Sequence, residues 1–301
     1  MRDIRSEVAK RAEDLTLPNG GFDAQGQELP GETEAMSPTP DHGETSYRGS
    51  GKLSGLKALI TGGDSGIGRA TAIAFAREGA DVAISYLEEE QADAEETKHW
   101  INEAGQQAVL LPGDLTEEGT CHKVVDRAVE ELGVLDILIN NAGHQMARGD
   151  TLRNLPSERI DETFKTNLYA MFWLTRRAIP HLPRGGSIIN TSSIQAYQPS
   201  PKLIDYAATK SAILNFTANL AQELGPDGIR VNAVAPGPIW TPLQPATQAP
   251  DRLPTFGTNT PLGRAGQPSE VAPAFVYLAS PDNASYVSGT VLGVTGGKGV
   301  F

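Results

Sequence analysis

A doubly wound α/β fold, with a seven-stranded parallel sheet and helices on both faces, is predicted by three features of the chain. Seven short apolar runs alternate with longer amphipathic segments from about residue 55 onward. A glycine-rich loop follows the first apolar run and opens a segment of helical period. No second periodic block calls for another domain, and no internal repeat is visible.

Taken in order, residues 1–50 stand apart. They are rich in Gly, Pro, Glu and Thr and lack a sustained apolar period, so they read as an N-terminal extension. One expectation is a flexible tail; the other is an arm packed on a neighbouring subunit through Phe22, Met36 and Tyr47. Residues 51–301 form the single domain. Its predicted strands are LKALIT (56–61), DVAISY (81–86), QAVLLP (107–112), LDILIN (135–140), GSIINTS (186–192), IRVNAVA (229–235) and TVLGVT (290–295). Segments of helical length such as IGRATAIAFAREG lie between them, and strand-helix alternation implies βαβ units with the sheet buried on both faces. PKLIDYAATKSAILNFTANLAQELG reads as a helix of about six turns, with Pro201 near its start and Gly225 at its end. Two stretches break the rhythm. The acidic run at 88–96 suits a helix start and reads as a solvated face. The Pro, Thr and Gly-rich stretch 235–268, containing a substrate loop at about 238–265, is long enough to be functional.

A net charge of −12 argues against nucleic acid and against anionic membranes as partners. Cys121 is alone, so it forms no intramolecular disulfide. No apolar run approaches the roughly 18 residues of a membrane span, and the start has no signal-peptide core. The cytoplasm is the expected compartment.

The loop T61-G-G-D-S-G-I-G68 lies between a predicted strand and a helix, which is the setting of a dinucleotide site. Gly62 can adopt backbone angles closed to other residues, while Gly66 and Gly68 permit close approach to a pyrophosphate. The helix N-terminus then offers N–H groups to the anion. At this point the chain resembles the short-chain dehydrogenase/reductase family, in its branch of roughly 250 residues. The resemblance runs from about residue 52 to the C-terminus and includes GDL at 113–115, NNAG at 140–143, Asn167, Ser192-Ser193, YAATK at 206–210 and PGPIWT at 236–241.

The resemblance implies a Rossmann fold and a nicotinamide cofactor held by Gly62, Asp64, Ser65, Gly66, Ile67 and Gly68. Asp114 and Leu115 would bracket the adenine; Asn141, Ala142 and Gly143 would close over the ribose; and Pro236, Gly237, Ile239 and Thr241 would hold the nicotinamide end. An acidic residue ending the second strand would select NAD over NADP. Tyr86 occupies that position, and neither cofactor's signature is complete. Asp64 and Glu88 tilt the expectation toward NAD, although Arg69 could be recruited by a 2′-phosphate.

Tyr206 and Lys210 fall one turn apart on one helical face. A phenol is a poor base at neutrality, and a nearby ammonium together with the positive ring of an oxidised nicotinamide is expected to lower its pKa. By the resemblance, Lys210 also binds the nicotinamide ribose, Ser193 polarises the substrate oxygen, and Asn167 holds a water linking Lys210 to solvent. Gln145, Gln195 and Trp240 join Ser193 and Tyr206 as candidate substrate contacts. No metal is required, and His42, His99, His122, His144 and His181 show no metal-ligand spacing. The expectation is an NAD(P)-dependent oxidoreductase acting on a polyol, sugar or small aldehyde or ketone, resembling glucose/ribitol dehydrogenases and aldehyde reductases. Related proteins are commonly homotetramers. A sugar-nucleotide epimerase would need TGxxGxxG spacing and a larger C-terminal domain. A non-catalytic NAD(P) sensor or scaffold would have lost Ser193, Tyr206 or Lys210.

Overall fold

The computed structural model describes residues 5–6, 10, 21–148 and 151–300; the first part of the predicted extension lies largely outside these. The strands are β1 (Lys57–Thr61), β2 (Asp81–Tyr86), β3 (Ala108–Pro112), β4 (Ile137–Asn140), β5 (Ser187–Thr191), β6 (Arg230–Pro236) and β7 (Val291–Val294). They form one parallel sheet in the order β3-β2-β1-β4-β5-β6-β7. The order reverses between β1 and β4, and ligands bind such sheets at the carboxyl ends of the strands beside this switch point.

Strand residues are buried on both faces of the sheet because helices cover both. Ala58 and Ile60 join the cluster under α1 (Gly66–Arg77), α2 (Gln91–Glu103) and α8 (Pro268–Ala279). Leu59, between them, joins the opposite cluster under α3 (Glu118–Leu132), α5 (Ala170–Ala178) and α6 (Ile204–Leu224), as the period of two requires. In α1, Ala70, Ala72, Ala74 and Ala76 are all buried, and their small side chains let it lie close to its neighbours. Cys121 is buried in α3, its Sγ 3.2 Å from Leu115 O, and burial pushes the thiol up to about 12. The remaining helices are α4 (Ser157–Phe164), α7 (Leu243–Thr247) and α9 (Pro281–Ala284).

The described part of the extension makes contacts of its own. Residues 21–50 lie along the chain's own domain. Phe22 stacks on Trp240 with ring centroids 3.7 Å apart, Met36 is buried in the same cluster, and Tyr47 Oη donates to Glu78 at 2.6 Å. The three expected anchors therefore do pack, against this chain's own core. Arg77 ends α1 by donating to Gly43 O at 2.8 Å and Tyr47 O at 2.6 Å. No helix of the described residues is long and apolar enough to cross a membrane.

Candidate active site

The turn from β1 into α1 is built around glycine. Gly62 has φ of +60°, and a Cβ on Gly68 would lie 1.7 Å from Gly62 O, so no larger residue fits at 68. Ser65, in extended conformation, precedes the helix. Asn141 ties the loop to the sheet: its N–H donates to Thr61 Oγ1 at 2.9 Å, and its side-chain amide donates to Thr61 O and Gly62 O, both at 3.1 Å. The Ala142 N–H shares Thr61 Oγ1 at 3.0 Å. Thr61 is thus a central acceptor that the motif reading left without a role.

These groups open onto a cleft of about 2100 Å³, well beyond the roughly 300–1,000 Å³ of ordinary small-molecule sites. Gly62, Asp64, Ser65, Gly66, Ile67, Tyr86, Asp114, Leu115, Asn141, Ala142 and Gly143 line it. Pro236, Gly237, Ile239, Thr241, Ser193, Gln145, Gln195, Tyr206 and Lys210 line it as well. Gly68 lies behind, packed on Gly62. Asp64 is 1% exposed and its Oδ2 has no partner. Burial pushes its carboxyl up to about 6, against hydrogen bonds from the local backbone and Ser65. Glu90, half-buried nearby, is driven up to about 8 by burial and then by the Asp64 charge. Tyr86 turns its hydroxyl to Gln91 Oε1 at 2.7 Å.

The acidic segment at 88–96, expected as a solvated face, is in part cleft wall, because Glu88, Glu89 and Glu90 line it. Arg69 offers nothing to a phosphate here. Its Nη2 donates to Asp93 Oδ1 at 2.7 Å and its Nε to Asp64 O at 2.7 Å, with the side chain 3% exposed.

A dinucleotide fits these residues: a glycine cradle closed to side chains, a helix N-terminus, a cleft of matching size and a buried carboxylate oxygen with an open acceptor. Ser65, Gly66 and Ile67 would hold its phosphates, the Asp64 carboxylate would accept from a ribose hydroxyl, and Asp114 and Leu115 would hold its base.

At the other end, α6 carries Tyr206 and Lys210 toward β5. Lys210 Nζ donates to Thr191 O at 2.8 Å and stands 5.3 Å from the Tyr206 ring centroid. Burial drops the ammonium to about 8. Burial also raises the Tyr206 phenol to about 12, with Ser193 donating to it and pulling the other way. In the protein alone the phenol is thus raised rather than lowered, because dehydration outweighs the Ser193 hydrogen bond. Ser192 points away from the cleft chemistry, its Oγ donating to Lys210 O at 2.8 Å, whereas Ser193 Oγ accepts from Gln195 N at 3.2 Å.

Asn167 sits in a π-helical segment, Lys165–Tyr169, between α4 and α5. This widened turn suits a functional site and points the amide at its neighbours. Asn167 Oδ1 accepts from His144 N at 2.6 Å, and Nδ2 donates to His144 O at 2.8 Å and Thr209 Oγ1 at 3.1 Å. Thr209 Oγ1 donates in turn to Tyr206 O at 2.7 Å.

Among the substrate candidates, Gln145 donates to Thr247 Oγ1 at 3.1 Å and Gln195 Oε1 accepts from Ser200 N at 2.7 Å, both beside the cleft. Trp240 is a correction. It is 0% exposed, stacked on Phe22, and its Nε1 donates to Pro38 O at 2.7 Å. Its indole faces the N-terminal segment and does not line the cleft. Sequence reasoning also missed the buried Arg159–Asp205 pair, with Nε 3.1 Å from Oδ2 and Thr163 Oγ1 donating to the same oxygen at 3.1 Å. It fixes the start of α6 one residue before Tyr206. Charged residues in amphipathic segments carry no signal of such burial.

The profile of the enoyl-(acyl carrier protein) reductase family matches residues 62–298. The uncharacterized oxidoreductase YghA of Escherichia coli is 57% identical over 280 residues, covering 93% of this chain and 95% of that protein. The NADPH-dependent aldehyde reductase 1 of Arabidopsis thaliana is 45% identical, covering 89% of this chain and 94% of that protein. The glucose and ribitol dehydrogenase of Daucus carota is 44% identical, covering 92% and 97%. A Burkholderia cenocepacia short-chain dehydrogenase in complex with NADP superposes with a TM-score of 0.76 at 35% identity, covering 82% of this chain and 98% of that one. The chain belongs to the short-chain dehydrogenase/reductase family. It is an NAD(P)-dependent oxidoreductase of that family.

Proposed function

We propose that the protein moves hydride reversibly between a nicotinamide cofactor, preferentially NAD, and an alcohol or carbonyl compound, with Tyr206 as acid and base. The observation that carries this reading is the meeting of Ser193, Tyr206 and Lys210 at one end of a dinucleotide-sized cleft. When bound, the nicotinamide supplies or accepts the hydride. Ser193 Oγ–H orients the substrate oxygen, and the Tyr206 phenol, protonated at neutrality, donates to it in reduction or recovers its proton in oxidation. Lys210, still charged near neutrality and placed 5.3 Å from the centre of the Tyr206 ring, favours the phenolate form. Asn167, held by His144 and Thr209, orients the proton route outward.

The preference for NAD is supported by the acidic wall at the β2 end, Asp64 and Glu88 to Glu90, and by the commitment of Arg69 to Asp93. The Arabidopsis relative is NADPH-dependent by name; the charges of this chain favour the other cofactor. The substrate class proposed is a polyol, sugar or small aldehyde or ketone. Arg264 is paired bidentately with Glu270, at 2.8 and 2.7 Å, which leaves Arg252 as the other cation of the substrate loop for a phosphorylated ligand. The named activities of the Arabidopsis and Daucus relatives support the same class. A homotetramer is the proposed assembly, and the cytoplasm the proposed compartment.

The test is turnover of a panel of sugars, polyols, aldehydes and ketones, followed by reduced-nicotinamide absorbance with both cofactors. At least one neutral carbonyl or alcohol should be turned over, faster with the NAD couple. No turnover of any member, with cofactor bound, would contradict the substrate reading.

A further inference from the structure

Gly26 to Pro30 line the same cleft as Gly66 and Glu90, although they belong to the N-terminal segment. We propose that residues 21–38 form a clasp across this cleft, holding the substrate loop against α2 so that a bound dinucleotide leaves only when the clasp lets go. The inference rests on the dinucleotide reading given above.

On one side the segment is fastened to the substrate loop. Phe22 N donates to Leu253 O at 3.1 Å, and Gln27 N donates to Pro245 O at 3.1 Å. Arg148 Nη2 donates to Gln27 O at 2.9 Å and to Pro245 O at 3.3 Å, joining a third element to the seam. The Phe22 ring lies flat on Trp240, 7° from parallel, while Trp240 Nε1 holds Pro38 O. Gly31 passes so close that a Cβ there would meet Pro242 O at 2.9 Å. Pro242 in turn borders Gly66 at the start of α1.

On the other side the segment is fastened to α2. Thr33 N and Oγ1 donate to Asp93 Oδ2 at 3.1 and 2.9 Å. Asp93 Oδ1 is already held by Arg69, so the anchor is rigid. Between the two attachments, Gln27 Oε1 accepts from Glu32 N at 2.6 Å and Gln27 Nε2 donates to Glu32 O at 3.1 Å, which pins the crossing as a turn.

The substrate loop depends on these contacts. Its helix α7 has five residues, too short to stand alone in water, and beyond the Ile239–Gly266 bridge the described loop has no strand partner. Backbone acceptors at Pro245 and Leu253 are met by the segment, together with Arg148 at Pro245 and Phe256 N at Leu253, rather than by the sheet. Opening the loop therefore requires breaking the clasp, and an element released this way sets the rate of ligand escape.

Thr33→Val removes the hydroxyl at the α2 attachment, and Phe22→Ala removes the aromatic stack at the other. A hydrogen bond or an aromatic pair each shifts such an equilibrium roughly two- to tenfold. NADH dissociation, followed by stopped-flow fluorescence in the full-length protein, should be several-fold faster in each variant and faster still in the double variant. Rates within twofold of the parent in Thr33→Val, the milder change, would overturn the clasp. Hydrogen–deuterium exchange of the cofactor-free variants separates the two readings. Exchange across 243–255 should rise whether or not a dinucleotide binds, and unchanged exchange there would sink the clasp alone. Loss of NADH binding by the parent would instead sink the cofactor reading.

Discussion

Asp64 shows how one residue's environment decides its use. Placed in a glycine loop, it is 1% exposed with an unpartnered oxygen, and burial holds its carboxyl up to about 6. Above that pH it is mostly ionised and repels a second anion, and Glu90 adds to the same field as its own proton leaves. At pH 8 Asp64→Asn should raise NADPH affinity relative to NADH by about tenfold, the scale of one screened charge pair. Side-by-side titration of both reduced cofactors reads this, and an unchanged ratio would place the 2′-hydroxyl elsewhere. The sequence exposed the acid but not its isolation, because a carboxylate in a turn is ordinarily solvated. Arg69 was misleading for the same reason: nothing in its spacing announced a bond to Asp93 from the neighbouring helix.

At the scale of elements, every strand was visible as an apolar run, and the observed ends lie within two residues of the expected ones. The parallel sheet makes strands legible because both faces are buried. The proposed catalytic residues were legible as members of an ordered set of family motifs, to which the spacing of Tyr206 and Lys210 adds one shared helical face. The π-helical turn at Lys165–Tyr169 was not, since it follows from the packing of Asn167 on His144 and Thr209 and leaves no periodic trace. Nor was the docking of residues 21–50. That segment buries scattered aromatics and satisfies its polar groups one by one, so it has no period to read.

Its attachment near α1 depends on Glu78. Burial raises that carboxyl, but bonds from Tyr47 Oη and the N–H groups of Lys52 and Ser50 outweigh it and bring it down to about 2 from 4.5. A folded-state pKa below the unfolded one contributes stability fully present above about pH 4.5, which is lost as pH falls toward 2. The melting temperature of Glu78→Gln should thus lie below that of the parent at neutral pH, with the gap closing across this window. A gap independent of pH would contradict the arrangement.

For the whole molecule, the faces left uncovered matter most. Tyr169 and Phe172 project from the α4–α5 region, 44% and 49% exposed, and Phe172 packs edge-on against Phe216 of α6 at 4.6 Å. Tyr277 on α8 and Tyr286, between α9 and β7, are exposed as well. Exposed aromatics such as these are candidates for the subunit contacts of the homotetramer proposed above. Light scattering should give four times the chain mass, and Phe172→Glu should reduce it to a dimer or below. A monodisperse monomer in the parent would rule the tetramer out.

The central claim is that Tyr206 transfers the proton. Replacing it with phenylalanine keeps the ring and removes only the hydroxyl. With a substrate found in the panel, Tyr206→Phe should leave NADH affinity within about twofold while kcat falls by roughly 10²–10⁴-fold. A variant that binds cofactor and turns over at the parent rate would contradict the account.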